Sequence, residues 1–477
     1  MDALLEKFNA ERPGDAPEPV KRHQVDANFD QPNPFDLKWA DRDYSSQFYH
    51  MYQYRLNVLR ERVVKECKDK WDNGFKLNGR LVVQKEKVLD IQGREPCWCV
   101  GTIYCEMKYK PNILEEVVND TYGVPDLVKS YTDPQGEDEI MLEDESGRVI
   151  LVGEYIRTTP FITGTVVGIL GMEADPGTFQ VLDICYPSAL PQIPLPHPVS
   201  EDRKIALVSG LNINTTQPTR ITRLKMLQEY LTGYLDKTEY VSEISRLIVC
   251  GNSVEFQTDD AERGKLTKCL EEFGTFLRNV LPSIPVDVMP GANDPSDKSL
   301  PQQPLHTALF DESMRPYFSA ENRQLLNLMT NPCSFSLNGW DVLAMSGQSI
   351  NDICKYIIPY TKEGSDPNSE ASSETMPTDT TEHRLDLMEC TMKWQNIAPT
   401  APDTLWCYPY KNDDPFILKR WPHVYCVGNQ PEFGSRVITM NNGAKIKMIA
   451  IPEFSTTGKI VLLNLKSLDT EVVRIDI

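Results

Sequence analysis

Four short stretches of the chain have the residue types and the setting for chemistry at strand ends. They are Ser209-Gly210-Leu211-Asn212, Gly251-Asn252, Pro290-Gly291-Ala292-Asn293-Asp294 and Gly428-Asn429-Gln430-Pro431. Each follows an apolar run (Ile205-Ala-Leu-Val, Arg246-Leu-Ile-Val-Cys, Val286-Asp-Val-Met, Val424-Tyr-Cys-Val), so each marks where a strand gives way to a loop. Open α/β sheets present their ligands at such carboxyl ends. Phosphoester hydrolysis by two metal ions there needs carboxylates and imidazoles from several strand ends, because a pair of divalent cations must be neutralised yet left open to substrate. The positions in question carry Gly210, Asn212, Asn252, Ala292, Asn293, Asn429 and Pro431. An amide brings no charge, and Gly, Ala and Pro bring no side-chain ligand atom. Asp294 apart, these stretches hold no carboxylate and no imidazole for a metal pair, and no catalytic, cofactor-binding or metal residue is assigned.

The other candidate groups do not fill the gap. Asp294, Asp297 and His306 are the only titratable cluster near these turns, and Asp294 reads as a turn or cap group that accepts backbone N–H bonds. Asp403, in Ala398-Pro-Thr-Ala-Pro-Asp-Thr-Leu405, reads the same way. The six histidines (His23, His50, His197, His306, His383, His423) are scattered, with no His-x-x-x-His pair. The twelve cysteines include no Cys-x-x-Cys. Cys97, Cys99 and Cys105 share one face of a strand and are expected as small core side chains rather than zinc ligands.

The elements that position these turns are legible from period. Between Lys204 and Val427 apolar strands alternate with helices, notably Thr219 to Leu235 and Leu266 to Val280, which predicts a sheet covered on both faces. Residues 436–475 are strand-rich without helices, as if a second sheet completes a sandwich. Upstream, Tyr52, Leu56, Leu59 and Val63 form a helical stripe that runs to Trp71 and ends at Asn73-Gly74. Residues 76–190 then change to short β-branched segments with glycine-marked bends, about five strands, as in an OB-fold barrel. Asp144-Glu-Ser-Gly147 is expected as a hairpin turn with Gly147 left-handed. Glu139, Glu143, Asp144 and Glu145 argue against a nucleic-acid groove on this barrel and for a packing module.

Domain organisation follows. Residues 1–43, rich in proline, are a tail or a strap with no core of their own. Residues 44–190 hold the helix and barrel, 191–203 a proline-rich linker, and 204–477 the α/β sandwich. An acidic insert at 362–381 lacks aromatic residues and is expected to be disordered. The 477 residues, 40% hydrophobic and 25% charged, suit a multi-domain globular protein. The net charge of −20 makes autonomous DNA binding a poor fit, since phosphate grooves are basic. The absence of a bilayer-length apolar run or a secretory leader predicts an intracellular, soluble protein with no membrane partner.

The order of the strand ends resembles the calcineurin-like metallophosphoesterase fold. There the four turns would read Asp-x-His, Gly-Asp, Asn-His and Gly-His-x-His; here the corresponding positions hold the seven residues named above. A barrel followed by such an emptied domain resembles the small (B) subunits of eukaryotic replicative DNA polymerases. The resemblance is carried by Arg55-Leu-Asn-Val-Leu-Arg-Glu-Arg-Val63, Asp90-Ile-Gln-Gly93, Leu142-Glu-Asp-Glu-Ser-Gly-Arg148, Gly168-Ile-Leu-Gly-Met-Glu173, Leu300-Pro-Gln-Gln-Pro-Leu-His306 and Ala398-Pro-Thr-Ala-Pro-Asp-Thr-Leu405. It implies a nuclear, non-catalytic scaffold that grips the cysteine-rich C-terminal domain of a catalytic polymerase chain and a third subunit. It also implies a role in a translesion polymerase. Iron–sulfur and zinc cofactors would then belong to the catalytic chain, with none here, and contact with DNA would be indirect or minor. The alternative is a metal-dependent phosphoesterase or nucleic-acid module that uses non-standard ligands.

Overall fold

The computed structural model describes residues 20–29, 33–72, 74–111, 128–196, 202–255, 263–319, 322, 324–360 and 379–476. The chain enters through β1 (Ala27–Asn28) and reaches α1 (Tyr49–Trp71), whose buried stripe is Leu56, Leu59, Val63, Cys67 and Trp71. A small hairpin, β2 (Lys76–Leu77) and β3 (Arg80–Leu81), precedes the barrel strands β4 (Val83–Gln84), β5 (Cys97–Glu106), β6 (Glu139–Glu143) and β7 (Arg148–Val152). One turn of helix, α2 (Glu154–Thr158), leads into β8 (Val166–Glu173) and β9 (Thr178–Cys185). The sheet order is β4-β5-β6-β7-β9-β8, and β5 also pairs with β8, so five strands close into a ring with β4 at the edge. Cys97, Cys99 and Cys105 lie in the barrel core with Ile103, Leu142, Ile169 and Phe179. Helix α1 seals the barrel along Gly168, where an added Cβ would overlap the Cys67 sulfur.

The β6–β7 turn corrects one expectation. Gly147 is not among the positive-φ residues. The turn is held instead by Asp144, whose Oδ1 accepts from the N–H of Ser146 at 2.7 Å and of Gly147 at 3.2 Å. A carboxylate that gathers the turn's donors removes the need for a left-handed residue.

The second unit is a four-layer sandwich. It begins with β10 (Lys204–Val208), α3 (Pro218–Thr232), α4 (Thr238–Ser242), β11 (Ile244–Cys250), α5 (Arg263–Val280), β12 (Val286–Met289) and β13 (Leu326–Leu328). It continues with β14 (Cys333–Leu337), β15 (Trp340–Met345), α6 (Gln348–Tyr356), α7 (Thr381–Trp394), β16 (Val424–Gln430), β17 (Gly434–Thr439) and β18 (Lys445–Pro452). It closes with α8 (Phe454–Thr457), β19 (Lys459–Asn464) and β20 (Thr470–Arg474). Two six-stranded sheets result, β13-β12-β11-β10-β19-β20 and β1-β14-β15-β16-β18-β17. Alternation along each strand splits its side chains between two cores. In β10, Ala206 and Val208 join α3 and α5, while Ile205 and Leu207 face the other sheet. In β16, Val424 and Cys426 face inward between the sheets, while Tyr425 and Val427 pack on the α7 side.

Three further expectations need adjustment. The C-terminal strands do not form a sheet of their own: β17 and β18 extend one sheet, β19 and β20 the other, and α8 intervenes. Within 362–381, residues 379–381 are ordered, because the Thr380 hydroxyl caps α7 at His383 N (3.2 Å) and Asp379 pairs with Arg384; the rest of that insert lies outside the described residues. In the stretch 191–203, Gln192 bridges to Trp421 and the Ile193 carbonyl meets His423 Nε2 at 2.9 Å, so residues 191–196 lie on the sandwich surface. Residues 197–201 lie outside the description. From Val20, the N-terminal segment runs as a strap: β1 pairs with β14, Ala27 and Phe35 enter two cores, and Phe29 stacks on Phe335.

Candidate functional site

Strands β10, β11 and β12 run parallel in one sheet, as do β15, β16 and β18 in the other, so their carboxyl ends meet at one edge of the sandwich. The chain leaves these strands by abrupt turns. Gly210 (φ +61°), Asn212 (+41°), Gly251 (+84°), Asn252 (+56°) and Asn429 (+53°) all occupy the left-handed region. Asparagine tolerates that region better than other side-chain-bearing residues because its amide bonds locally. There is no room for more: a Cβ on Gly210 would lie 2.8 Å from Asn429 Oδ1, and one on Gly291 would overlap Asn252.

The asparagines are bound to one another and to the backbone. Asn293 donates from Nδ2 to Asn212 Oδ1 (3.1 Å), and its N–H donates to Asn252 Oδ1 (2.9 Å). Asn429 Nδ2 donates to the Ser346 carbonyl (2.7 Å), and its N–H to Ser209 Oγ (2.8 Å). Beneath them a second amide cluster supports the loop after β12. Gln302 Nε2 donates to the Gly291 carbonyl (3.1 Å) and the Asp297 carbonyl (2.7 Å), while its Oε1 accepts from Asn331 and Gln348, both at 2.8 Å. Neutral amides thus occupy the turns where a metal pair would need charge, with Asn429 Oδ1 buried and without a hydrogen-bond partner among the described residues.

Three charged groups complete the site. Asp294 is buried and turned toward the backbone, accepting from Val254 N (3.0 Å) and Gly291 N (2.8 Å). This is the cap role read from sequence. Burial pushes its carboxyl up to about 7 against those stabilising amides. Glu453, just past β18, accepts from Asn212 Nδ2 and from Ser455 Oγ (2.9 Å). Arg384 on α7 donates to Gln430 Oε1 at 2.9 Å. Neither Glu453 nor Arg384 was singled out from sequence; Glu453 had the available signal, standing at the carboxyl end of the apolar run 446–451.

Of the remaining sequence candidates, Ala292 and Pro431 are exposed, and the Ala292 carbonyl accepts from Lys298 Nζ at 2.8 Å. Asp297 and His306 are also exposed, so the structure does not gather them with buried Asp294. Asp403 pairs with Lys110 at 2.5 Å. Among the described residues, no group of three or more His, Cys, Asp or Glu side chains is arranged to hold a metal ion. No helix among them is long and apolar enough to cross a membrane.

The loop 398–405 has a different part. Arg55 of α1 is fully buried and inserts across it, donating to Asp414 Oδ2 (2.7 Å), the Pro399 carbonyl (2.8 Å) and the Ala401 carbonyl (2.6 Å). Gly164 of the barrel presses on the same Pro399 carbonyl at φ +91°. One guanidinium therefore joins helix, barrel and sandwich.

A ring barrel followed by a phosphoesterase-like sandwich is the domain order that two family models of replicative-polymerase B-type accessory chains match here. Residues 47–184 match the family model for the DNA polymerase delta subunit OB-fold domain, and residues 205–435 that for the B-type subunit of DNA polymerases alpha and epsilon. The DNA polymerase delta small subunit of Saccharomyces cerevisiae is 60% identical over the whole of both chains. Its Arabidopsis thaliana counterpart is 35% identical over 80% of this chain and 82% of that one. DNA polymerase delta subunit 2 of Drosophila melanogaster is 30% identical over 91% and 94%. The chain belongs to the family of DNA polymerase delta small subunits.

Proposed function

We propose that this chain is the non-catalytic scaffold of a nuclear DNA polymerase delta. It binds the cysteine-rich C-terminal domain of the catalytic chain and a third subunit, and it serves the translesion polymerase zeta in the same way. Iron–sulfur and zinc cofactors reside in the catalytic chain, and DNA contact is indirect or minor. In this reading the edge of the sandwich is an emptied phosphoesterase centre, with Gly210, Asn212, Asn252, Ala292, Asn293, Asn429 and Pro431 standing at former ligand positions.

The observation that carries the reading is the amide network. Asn212, Asn252 and Asn293 are bonded to one another and Asn429 Nδ2 donates to the Ser346 carbonyl, so neutral amides stabilise the turns and bring no charge to a cation, although Asn429 Oδ1 is buried without a hydrogen-bond partner among the described residues. The two carboxyls present, Asp294 and Glu453, are both engaged by protein donors. Elemental analysis and a manganese-supplemented phosphodiesterase assay on the purified chain test this. Absence of stoichiometric metal and of turnover is expected, together with stable co-purification with the catalytic chain's C-terminal domain. Bound metal with turnover would establish the phosphoesterase alternative instead.

A further inference from the structure

Strand β17 is an open edge. It pairs with β18 alone, in unbroken register from Gly434↔Ala450 to Thr439↔Lys445. An edge strand turns alternate N–H and C=O groups outward, and among the described residues nothing bonds to those of β17. Natural edges are blunted by proline, a bulge, an exposed charge or a further pairing segment. β17 has no proline and no bulge, and no described segment pairs with its outer side. Its one charge, Arg436, is drawn onto α7 by Asp386 (2.7 Å), Glu382 (2.6 Å) and Glu389 (3.4 Å). Val437 is left 54% exposed. By contrast β20, the corresponding edge of the other sheet, presents exposed Glu471 and Arg474. A row of unpaired backbone groups takes one class of ligand, an extended polypeptide.

A cation beside this edge decides what that polypeptide must carry. Lys447 of β18 lies opposite Val437, on the same face as Ile449 and Ile451 of the core between the sheets, and is 9% exposed. Its Nζ reaches across to β17 and donates to Ser435 Oγ at 3.3 Å, and that hydroxyl is bonded to Thr470 Oγ1 of β20 at 3.0 Å. Lys447 is in no ion pair among the described residues. The carboxylate that acts on it, Asp469, is exposed on the turn before β20, and burial still lowers the pKa of the ammonium. Exposed Lys445, opposite Thr439, adds a second positive charge on that face. A nearly buried ammonium without a paired carboxylate is costly, and an incoming one would relieve it. An added strand runs about 4.8 Å beyond β17, within reach of an ammonium that already touches Ser435. On the opposite face Arg436 has its three carboxylates, so no further charge is called for there. Resting on the scaffold reading, we infer that β17 seats an extended segment of a partner chain. The segment adds a strand to the sheet and sets an aspartate or glutamate beside Val437, against Lys447.

The test uses the full chain co-expressed with the catalytic and third subunits, with the photo-crosslinker p-benzoylphenylalanine in place of exposed Thr439 at the end of β17. Mass spectrometry of the crosslink should identify a partner segment with Asp or Glu within a few positions. Lys447→Met should weaken retention of that partner about tenfold or more, the scale of a well-placed interface residue. The melting temperature of the chain alone should stay level or rise, because an unpaired buried cation has been removed. Lys447→Glu should lose the partner as well, and changing the crosslinked acid to lysine should restore it. Assembly in which position 439 crosslinks to no partner, to a segment without a carboxylate or to a second copy of this chain overturns the β17 assignment and leaves the scaffold reading intact. Failure of any assembly to form overturns both.

Discussion

The Arg55 guanidinium and the Asp414 carboxylate are both almost wholly removed from solvent, and each is tolerated only because the other is there. Arg55→Met should leave Asp414 buried and unpaired and cost about 3–5 kcal/mol, read as a lower urea midpoint. Asp294 gives a pH signature of opposite kind. Its carboxyl lies near 7 in the folded chain against an ordinary 3.8. Between those values the folded state holds the proton that the unfolded state has released. This group's contribution therefore favours folding at the acid end and is lost as pH rises through about 7. Asp294→Asn should abolish that slope, seen in unfolding midpoints from pH 4 to 8. It should also destabilise by about 1–3 kcal/mol, because an amide NH₂ would confront the Val254 or Gly291 N–H donor. At this scale the sequence showed the Asp294 cap and the asparagine turns, whose cause is local. It did not show the Arg55 lock, because Asp414 lies 359 positions away. Glu453 was missed although the apolar run before it marked a strand end.

Helices and strands were legible where period and burial coincide. The stripe from Leu56 to Val63 gave α1, and the runs at 205–208 and 286–289 gave β10 and β12. Pairing was not legible: whether a late strand joins β16 or β10 depends on partners that local pattern does not encode, so the C-terminal strands read as one sheet when they divide between two. Capping is a local signal with a measurable weight. Thr380→Ala removes the hydroxyl that accepts from the His383 N–H at the start of α7. It should lower stability by about 1 kcal/mol, detected as a shift in urea midpoint.

For the whole molecule, the strap from Val20 to Asp43 is part of the sandwich. Arg22 donates to the carbonyls of Leu231, Val241, Ile244 and Ser283, gathering the ends of three helices and the start of a strand. Phe29 covers the buried Arg246–Asp287 pair, its ring 5.7 Å from the Arg246 guanidinium carbon. A chain beginning at residue 38 loses these contacts together with β1. It should melt at a lower temperature and be cleaved faster by protease within the sandwich than the full chain. The Arg55 lock has a consequence of another sort. With one side chain pinned simultaneously to α1 and the sandwich, and with Gly164 wedged against the same loop, barrel and sandwich cannot hinge without breaking a buried ion pair. The two domains then keep a set separation and bearing, and a pull on the barrel is felt by the sandwich without slack.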